Sequence, residues 1–161
     1  MRIAGHGSGC VARRGVLLAA LALAACGGPP KVPPTTVAGS VAAAAGLNTS
    51  VSGRPSPLLL RLYELKADTA FTAADFVSLY QRDQGELGAE LVAREDLTLQ
   101  PGQSLPLRRT LAPETRFIGV FAAYRDIEHA RWRVVLPVRP GQAHQLTVRA
   151  GALAVSAEMA P

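Results

Sequence analysis

The chain has 161 residues, 48% of them hydrophobic, with 17 Lys+Arg against 12 Asp+Glu and two cysteines, Cys10 and Cys26. Three of the basic residues, Arg2, Arg13 and Arg14, belong to the extreme N-terminus, so the remainder carries 14 Lys+Arg against the same 12 acidic residues. That near-balance excludes a nucleic-acid-binding surface built on bulk charge, and cysteines placed so early exclude a disulfide framework or a Cys-based metal site in the rest of the chain.

Arg13 and Arg14 precede an apolar run from Val16 to Ala25, and small residues lead up to Cys26. A basic start, an apolar run and small residues before a cut site make a secretory signal peptide. The run has 10 residues, well short of the ~20 that span a bilayer. Leu23-Ala24-Ala25-Cys26 resembles a bacterial lipobox, in which the cysteine thiol is acylated and becomes the first residue of the mature chain. Residues 1–25 are therefore expected to be a lipoprotein signal peptide. The acyl lipid on Cys26 is the sole attached group expected, with no cofactor or metal. Residues 26–36 are expected to form the lipidated cysteine and a tether. Gly27 to Thr36 holds four prolines, which favours an extended spacer of roughly 30 Å. Residues 37–161 remain as one domain, large enough to bury its own core.

Alternation predicts strands through most of that domain. Val37 to Ala45 is a weak strand candidate, because its alanines also suit a helix. Pro57 to Leu65 is an apolar run containing Arg61 and Glu64. Leu105, Leu107 and Leu111 share a parity, and Pro106 places that strand at a sheet edge. Phe117 to Tyr124 is apolar on both parities, as expected of a central strand covered on both faces. Arg131 to Leu136 alternates, with Trp132, Val134 and Leu136 opposite Arg131 and Arg133. His144 to Arg149 sets Leu146 and Val148 against Gln145, Thr147 and Arg149, and Ala152 to Ser156 is a weaker candidate. Pro101-Gly102, Pro140-Gly141 and Ala150-Gly151 mark turns. One segment has helical spacing. Ala73, Phe76, Val77 and Tyr80 form a stripe after a Thr72-to-Asp75 capping box, which predicts a short helix from Ala73 to Arg82 and another turn over Glu86 to Ala89. About eight short strands with one helical insertion make an all-β, antiparallel β-sandwich.

Catalytic patterns are sparse. His129 and His144 are the two histidines beyond the signal, with no metal-ligand spacing. Glu95 and Asp96 are adjacent and would point to opposite faces of a strand. His144 reads as a solvated strand-edge side chain and Trp132 as core. Tyr124-Arg125-Asp126 reads as a strand end whose charges satisfy a nearby turn or each other. An envelope enzyme would have to use His129 with Asp126 or Glu128. A module binding a small hydrophobic ligand would use Phe117, Phe121 and Tyr124.

The segment from Gly46 to Ser56 is a polar, Gly-bearing loop between two strand candidates. Arg54 stands between Gly53 and Pro55, and Arg is a frequent interface anchor because its planar fork makes bidentate bonds. A plain connecting loop has the same composition.

Leu47-Asn48, Gly53-Arg54-Pro55-Ser56-Pro57 and Arg61-Leu62-Tyr63-Glu64-Leu65-Lys66 resemble the type VI secretion outer-membrane lipoprotein family, TssJ. Phe71, Ala74-Asp75-Phe76, Leu79 and Leu99-Gln100-Pro101-Gly102 follow in that family's order, as do Gly119 to Asp126 and Ala130-Arg131-Trp132-Arg133. The resemblance implies a transthyretin-like β-sandwich with added helical structure and no enzymatic activity. It implies a lipid anchor in the outer membrane facing the periplasm. The implied partner is the periplasmic C-terminal region of the inner-membrane protein TssM, with TssL reached indirectly; neither nucleic acid nor a small-molecule substrate is implied. The family's TssM-binding element falls on Leu47, Asn48, Thr49, Ser50, Val51, Ser52, Gly53 and Arg54.

Overall fold

The computed structural model describes residues 32–50 and 52–161. Cys26, the first half of the proline-rich segment (residues 27–31) and Val51 lie outside the described residues. Eight strands form: β1 (Thr36–Ala43), β2 (Leu58–Leu65), β3 (Leu91–Leu99), β4 (Ser104–Thr110), β5 (Phe117–Ala122), β6 (Arg133–Pro137), β7 (Ala143–Ala150) and β8 (Val155–Ala160). Two helices, α1 (Thr69–Ala73) and α2 (Phe76–Leu87), join β2 to β3 through a 3-10 turn, Gly88–Glu90. One sheet has the order β4-β1-β7-β8 and the other β3-β2-β5-β6.

The inner faces of the two sheets meet in a single core. Val37 and Val41 of β1, Leu146 and Val148 of β7, Leu58, Leu60 and Leu62 of β2, and Ile118 and Val120 of β5 are all buried in it. The outer face of the second sheet carries a further layer. Tyr63, Leu65 and Phe121 pack there against Phe71, Leu79 and Leu87 of the helical segment. Strand β5 is therefore covered on both faces, and β4, with Pro106, is an edge strand, as its sequence predicts. The alanine-rich β1 is a strand because it is paired on both sides, antiparallel to β4 and parallel to β7. That parallel pair makes the first sheet mixed. The close approach fixes Gly39, where a Cβ would lie 1.8 Å from the Leu146 carbonyl oxygen.

Several expectations need correction. The first helix ends at Ala73, and Asp75 is itself the N-cap of α2: its Oδ1 accepts from Ser78 N at 2.9 Å. The Thr72-to-Asp75 capping box does not form, because Thr72 lies inside α1. The expected stripe is also rotated. Ser78, Leu79, Asp83 and Leu87 face inward, whereas Val77 and Tyr80 are exposed. The turn expected over Glu86 to Ala89 is the end of α2 running into the 3-10 turn. His144 is not solvated. It points inward with Leu146 and is 5% exposed, with Nε2 at 2.9 Å from the Arg139 carbonyl oxygen.

Arginines tie the helices to the sheet. Helix α2 breaks at Arg82 (φ −139°, ψ 27°). Arg61 of β2 donates to the Leu79 and Tyr80 carbonyls just before that break, at 2.9 and 3.0 Å. Arg133 of β6 donates to Phe71 O and Ala74 O at the end of α1, at 3.0 and 2.7 Å. Last-turn carbonyls lack helical partners and are costly to bury, so Arg133 closes α1, while Arg61 satisfies the carbonyls beside the break in α2, which itself ends at Gly88. Among the described residues no helix is long and apolar enough to cross a membrane.

Candidate functional site

The connection between β1 and β2 is built from a buried base and an exposed tip. Leu47 is fully buried in the inter-sheet core, and its carbonyl accepts from Ser56 N at 2.9 Å. Asn48 is 3% exposed and has a left-handed backbone, φ +46°. Asparagine tolerates that conformation better than most residues. Its Nδ2 donates to Pro57 O at 3.0 Å, while its Oδ1 accepts from Arg125 N at 3.0 Å. Leu47 and Asn48 thus lie beneath the surface and support the loop. Thr49, Ser50, Ser52, Gly53 and Arg54 remain accessible above them.

The tip is a turn closed on itself. Ser50 N donates to Arg54 O at 3.0 Å, and Gly53 N to Ser50 O at 2.8 Å. Gly53 has φ +75° with open space around its α-carbon, so the turn's backbone geometry, not crowding, selects glycine. Thr49 Oγ1 donates to Gly46 O at 2.6 Å, and Ser50 Oγ lies 2.9 Å from Ser52 Oγ. Arg54 is exposed and forms no ion pair among the described residues.

Beside this tip lies an open cleft of about 750 Å³, lined by Thr49, Ser50, Arg125, Asp126, His129 and the Ala152-Leu153 pair. The β5–β6 and β7–β8 connections supply its other walls. Sequence reasoning did not bring these segments together. The usable signal was Leu153, an apolar residue in a turn, which is 39% exposed. Tyr124, just before the cleft, is buried and donates its hydroxyl to Gly151 O at 3.2 Å. Burial pushes its phenol up to about 12, so it stays a neutral donor.

The cleft lacks the arrangement of a hydrolytic site. His129 Nδ1 is 2.8 Å from Asp126 Oδ1, and the His129 backbone N–H donates to the same carboxylate. These bonds, the His129 ring foremost, hold Asp126 below the usual carboxylate range. The pair sits on one exposed turn, and neither nearby hydroxyl bonds to it: Thr49 is engaged with Gly46 and Ser50 with Ser52. Among the described residues no His/Cys/Asp/Glu group is placed to hold a metal. Phe117 and Phe121 pack under the helices while Tyr124 packs between the sheets, so the hydrophobic ligand pocket of the alternative reading does not assemble from them.

Residues 35–153 match the family model described as type VI secretion lipoprotein, VasD, EvfM, TssJ. The T6SS lipoprotein TssJ1 from Pseudomonas aeruginosa is 43% identical, with a TM-score of 0.77 over 80% of this chain and 98% of that one. Serratia marcescens Lip, described as a membrane-bound component of the type VI secretion system, is 26% identical, with a TM-score of 0.72 over 78% of this chain and 96% of that one. A structure described as the T6SS protein TssM C-terminal domain from EAEC contains a chain 27% identical to this one, with a TM-score of 0.61 over 78% of this chain and 98% of that one. No curated protein matches.

Proposed function

The chain belongs to the type VI secretion lipoprotein family, and from that premise we propose that it is a non-enzymatic scaffold holding TssM to the outer membrane. In this reading Cys26 carries the acyl anchor, residues 27–36 set the spacing from the membrane, and the β1–β2 loop docks the periplasmic C-terminal region of TssM. Through TssM the complex would reach TssL.

The observation that carries the reading is the placement of the loop along β1. The N-terminal segment joins the domain at Thr35 and Thr36, beside Gly141 and Gln142. Strand β1 then runs for eight residues, about 26 Å at ~3.3 Å per residue, before the chain turns into the loop. The loop therefore lies at the opposite end of β1 from the point where the N-terminal segment enters the domain. Arg54 supplies donors at that end, and the Ser50–Ser52 pair has one hydroxyl proton to spare. The likeness to a chain in the EAEC TssM structure supports the choice of partner.

The test replaces residues 49–54 with a Gly-Ser link and leaves Asn48 in place. Binding to the purified periplasmic region of the TssM encoded with this protein is the readout. We expect micromolar or tighter affinity for the wild type, about −8 kcal/mol or better, and its loss in the variant. A folded wild-type protein that does not bind would overturn the docking role. Separately, Cys26→Ser is expected to release the protein from the membrane fraction; retention there would refute the lipid anchor.

A further inference from the structure

A standard protein interface takes about 20–30 residues a side. The accessible tip of the β1–β2 loop, with Thr49, Ser50 and Ser52 to Pro55 as its described residues, is much smaller than that, so a partner seated on it must also cover its neighbours. Those neighbours are fixed to the loop and to each other. Ala44 N donates to Ala150 O at 2.8 Å and Asn48 N to Gly151 O at 3.3 Å, which joins the loop to the β7–β8 turn. Arg125 N donates to Asn48 Oδ1 at 3.0 Å, which joins the β5–β6 segment to the loop. Arg131 N donates to Leu153 O at 2.8 Å and Val155 N to Arg131 O at 2.9 Å, which closes the triangle.

We infer that the TssM-binding surface is a three-part platform made of residues 49, 50 and 52–55, residues 125–129 and residues 151–154, with Asn48 as its buried joint. The inference rests on the docking reading above and extends it to two segments outside the β1–β2 loop. The platform carries two cations without ion-pair partners among the described residues, Arg54 and Arg125. It carries two exposed apolar side chains, Ile127 at 41% and Leu153 at 39%. The matching face of TssM must then offer carboxylates or carbonyls to the arginines and an apolar strip to Ile127 and Leu153. Because the three parts are hydrogen-bonded before any partner arrives, little conformational freedom is lost on docking.

The experiment compares the full chain, purified in detergent, with an Arg125→Glu/Leu153→Asp double variant and an Ile127→Asp single variant, all on immobilised TssM periplasmic region. The 49–54 replacement runs alongside. All three substituted positions are exposed, so unchanged melting temperatures are expected. The double variant should bind at least 10-fold more weakly, and Ile127→Asp about 5-fold more weakly. Both variants binding within twofold of wild type, while the 49–54 replacement loses binding, would overturn the platform and leave the loop reading intact. Failure of the wild type itself to bind would remove the docking reading, and the platform with it.

Discussion

The two sides of the second sheet's neighbourhood use arginine in opposite ways. On the helix-covered face, Arg61 and Arg133 are spent on the carbonyls of α1 and α2. Arg94 of β3 is held at 2.9 Å by Asp83, which also accepts from Tyr63 OH at 2.9 Å. At the loop end, Arg54 and Arg125 face solvent with no such partner among the described residues. One residue type thus serves architecture where its donors are consumed and, in the docking reading proposed above, recognition where they are left over. Sequence identity does not separate the two uses; hydrogen-bond accounting does.

The comparison breaks most visibly at Asp83. Its side chain is 7% exposed and faces Arg61, Arg94 and Tyr63 together. Asp83→Ala leaves the buried Tyr63 phenol without its acceptor and takes one of two carboxylates from Arg61 and Arg94, which keep Asp96, so a loss of about 3 kcal/mol in chemical denaturation is expected. TssM affinity measured on the folded fraction should not change; a parallel loss of affinity would show that the helical face also binds. Burial alone would raise the Asp83 carboxyl, but the Arg94 and Tyr63 bonds and the two positive charges outweigh it and leave it depressed. Folded Asp83 therefore binds a proton more weakly than unfolded Asp83 does. Its stabilisation is complete above the ordinary aspartate value of about 4 and is lost as the pH falls below it. Wild type should lose stability through that acid range more steeply than Asp83→Asn. Equal slopes would remove Asp83 from the acid response.

Asn48 sits where the two uses meet. Asn48→Ala removes both side-chain hydrogen bonds and leaves a non-glycine residue at φ +46°, so a loss of about 2 kcal/mol is expected. Unlike Asp83→Ala, it should also weaken TssM binding, because the joint between the loop and residue 125 is gone. A stability loss with intact affinity would detach the two.

Much of this was legible in alternation, and the failures have physical causes. Two-sided apolarity placed β5 at the centre, and Pro106 placed β4 at an edge. The adjacent acids of β3 do point apart: Asp96 meets Arg61 and Arg94 on the helical side, while Glu95 pairs with Arg109. The whole of β3 was harder to see, since Arg94, Glu95 and Asp96 break its pattern for the sake of ion pairs between layers. The inward face of α2 was misjudged because Ser78 and Asp83 are polar, and their burial depends on Asp75, Tyr63 and Arg94. The loop was locatable from its composition. The burial of Leu47 and Asn48 was not, because the decisive partner, Arg125, lies 77 positions along the chain.

Arg54→Ala is the next sharpening, with a smaller effect. Its side chain has no ion pair to lose among the described residues, so stability should stay within ~0.5 kcal/mol of wild type. An interface arginine at the centre of a docked surface should weaken binding by about 1–2 kcal/mol, roughly 10-fold. No change in affinity would move the anchor to Arg125 and the turn at Leu153.

The smallest effect is expected on the outer side of α2. Val77 and Tyr80 are 48% and 45% exposed, and Tyr80 stacks on Phe76 with centroids 6.0 Å apart. Their apolar surface resembles that of Ile127 and Leu153, yet the carbonyls, charges and aromatic rings beside them are already satisfied within the helical layer. Val77→Ser should change stability and TssM affinity by no more than ~0.5 kcal/mol. Isothermal titration beside the Ile127→Asp variant checks this directly. If Val77→Ser weakened binding as much as Ile127→Asp, exposed apolar area alone would decide docking, and leftover hydrogen-bonding capacity would lose its standing as the mark of the binding face.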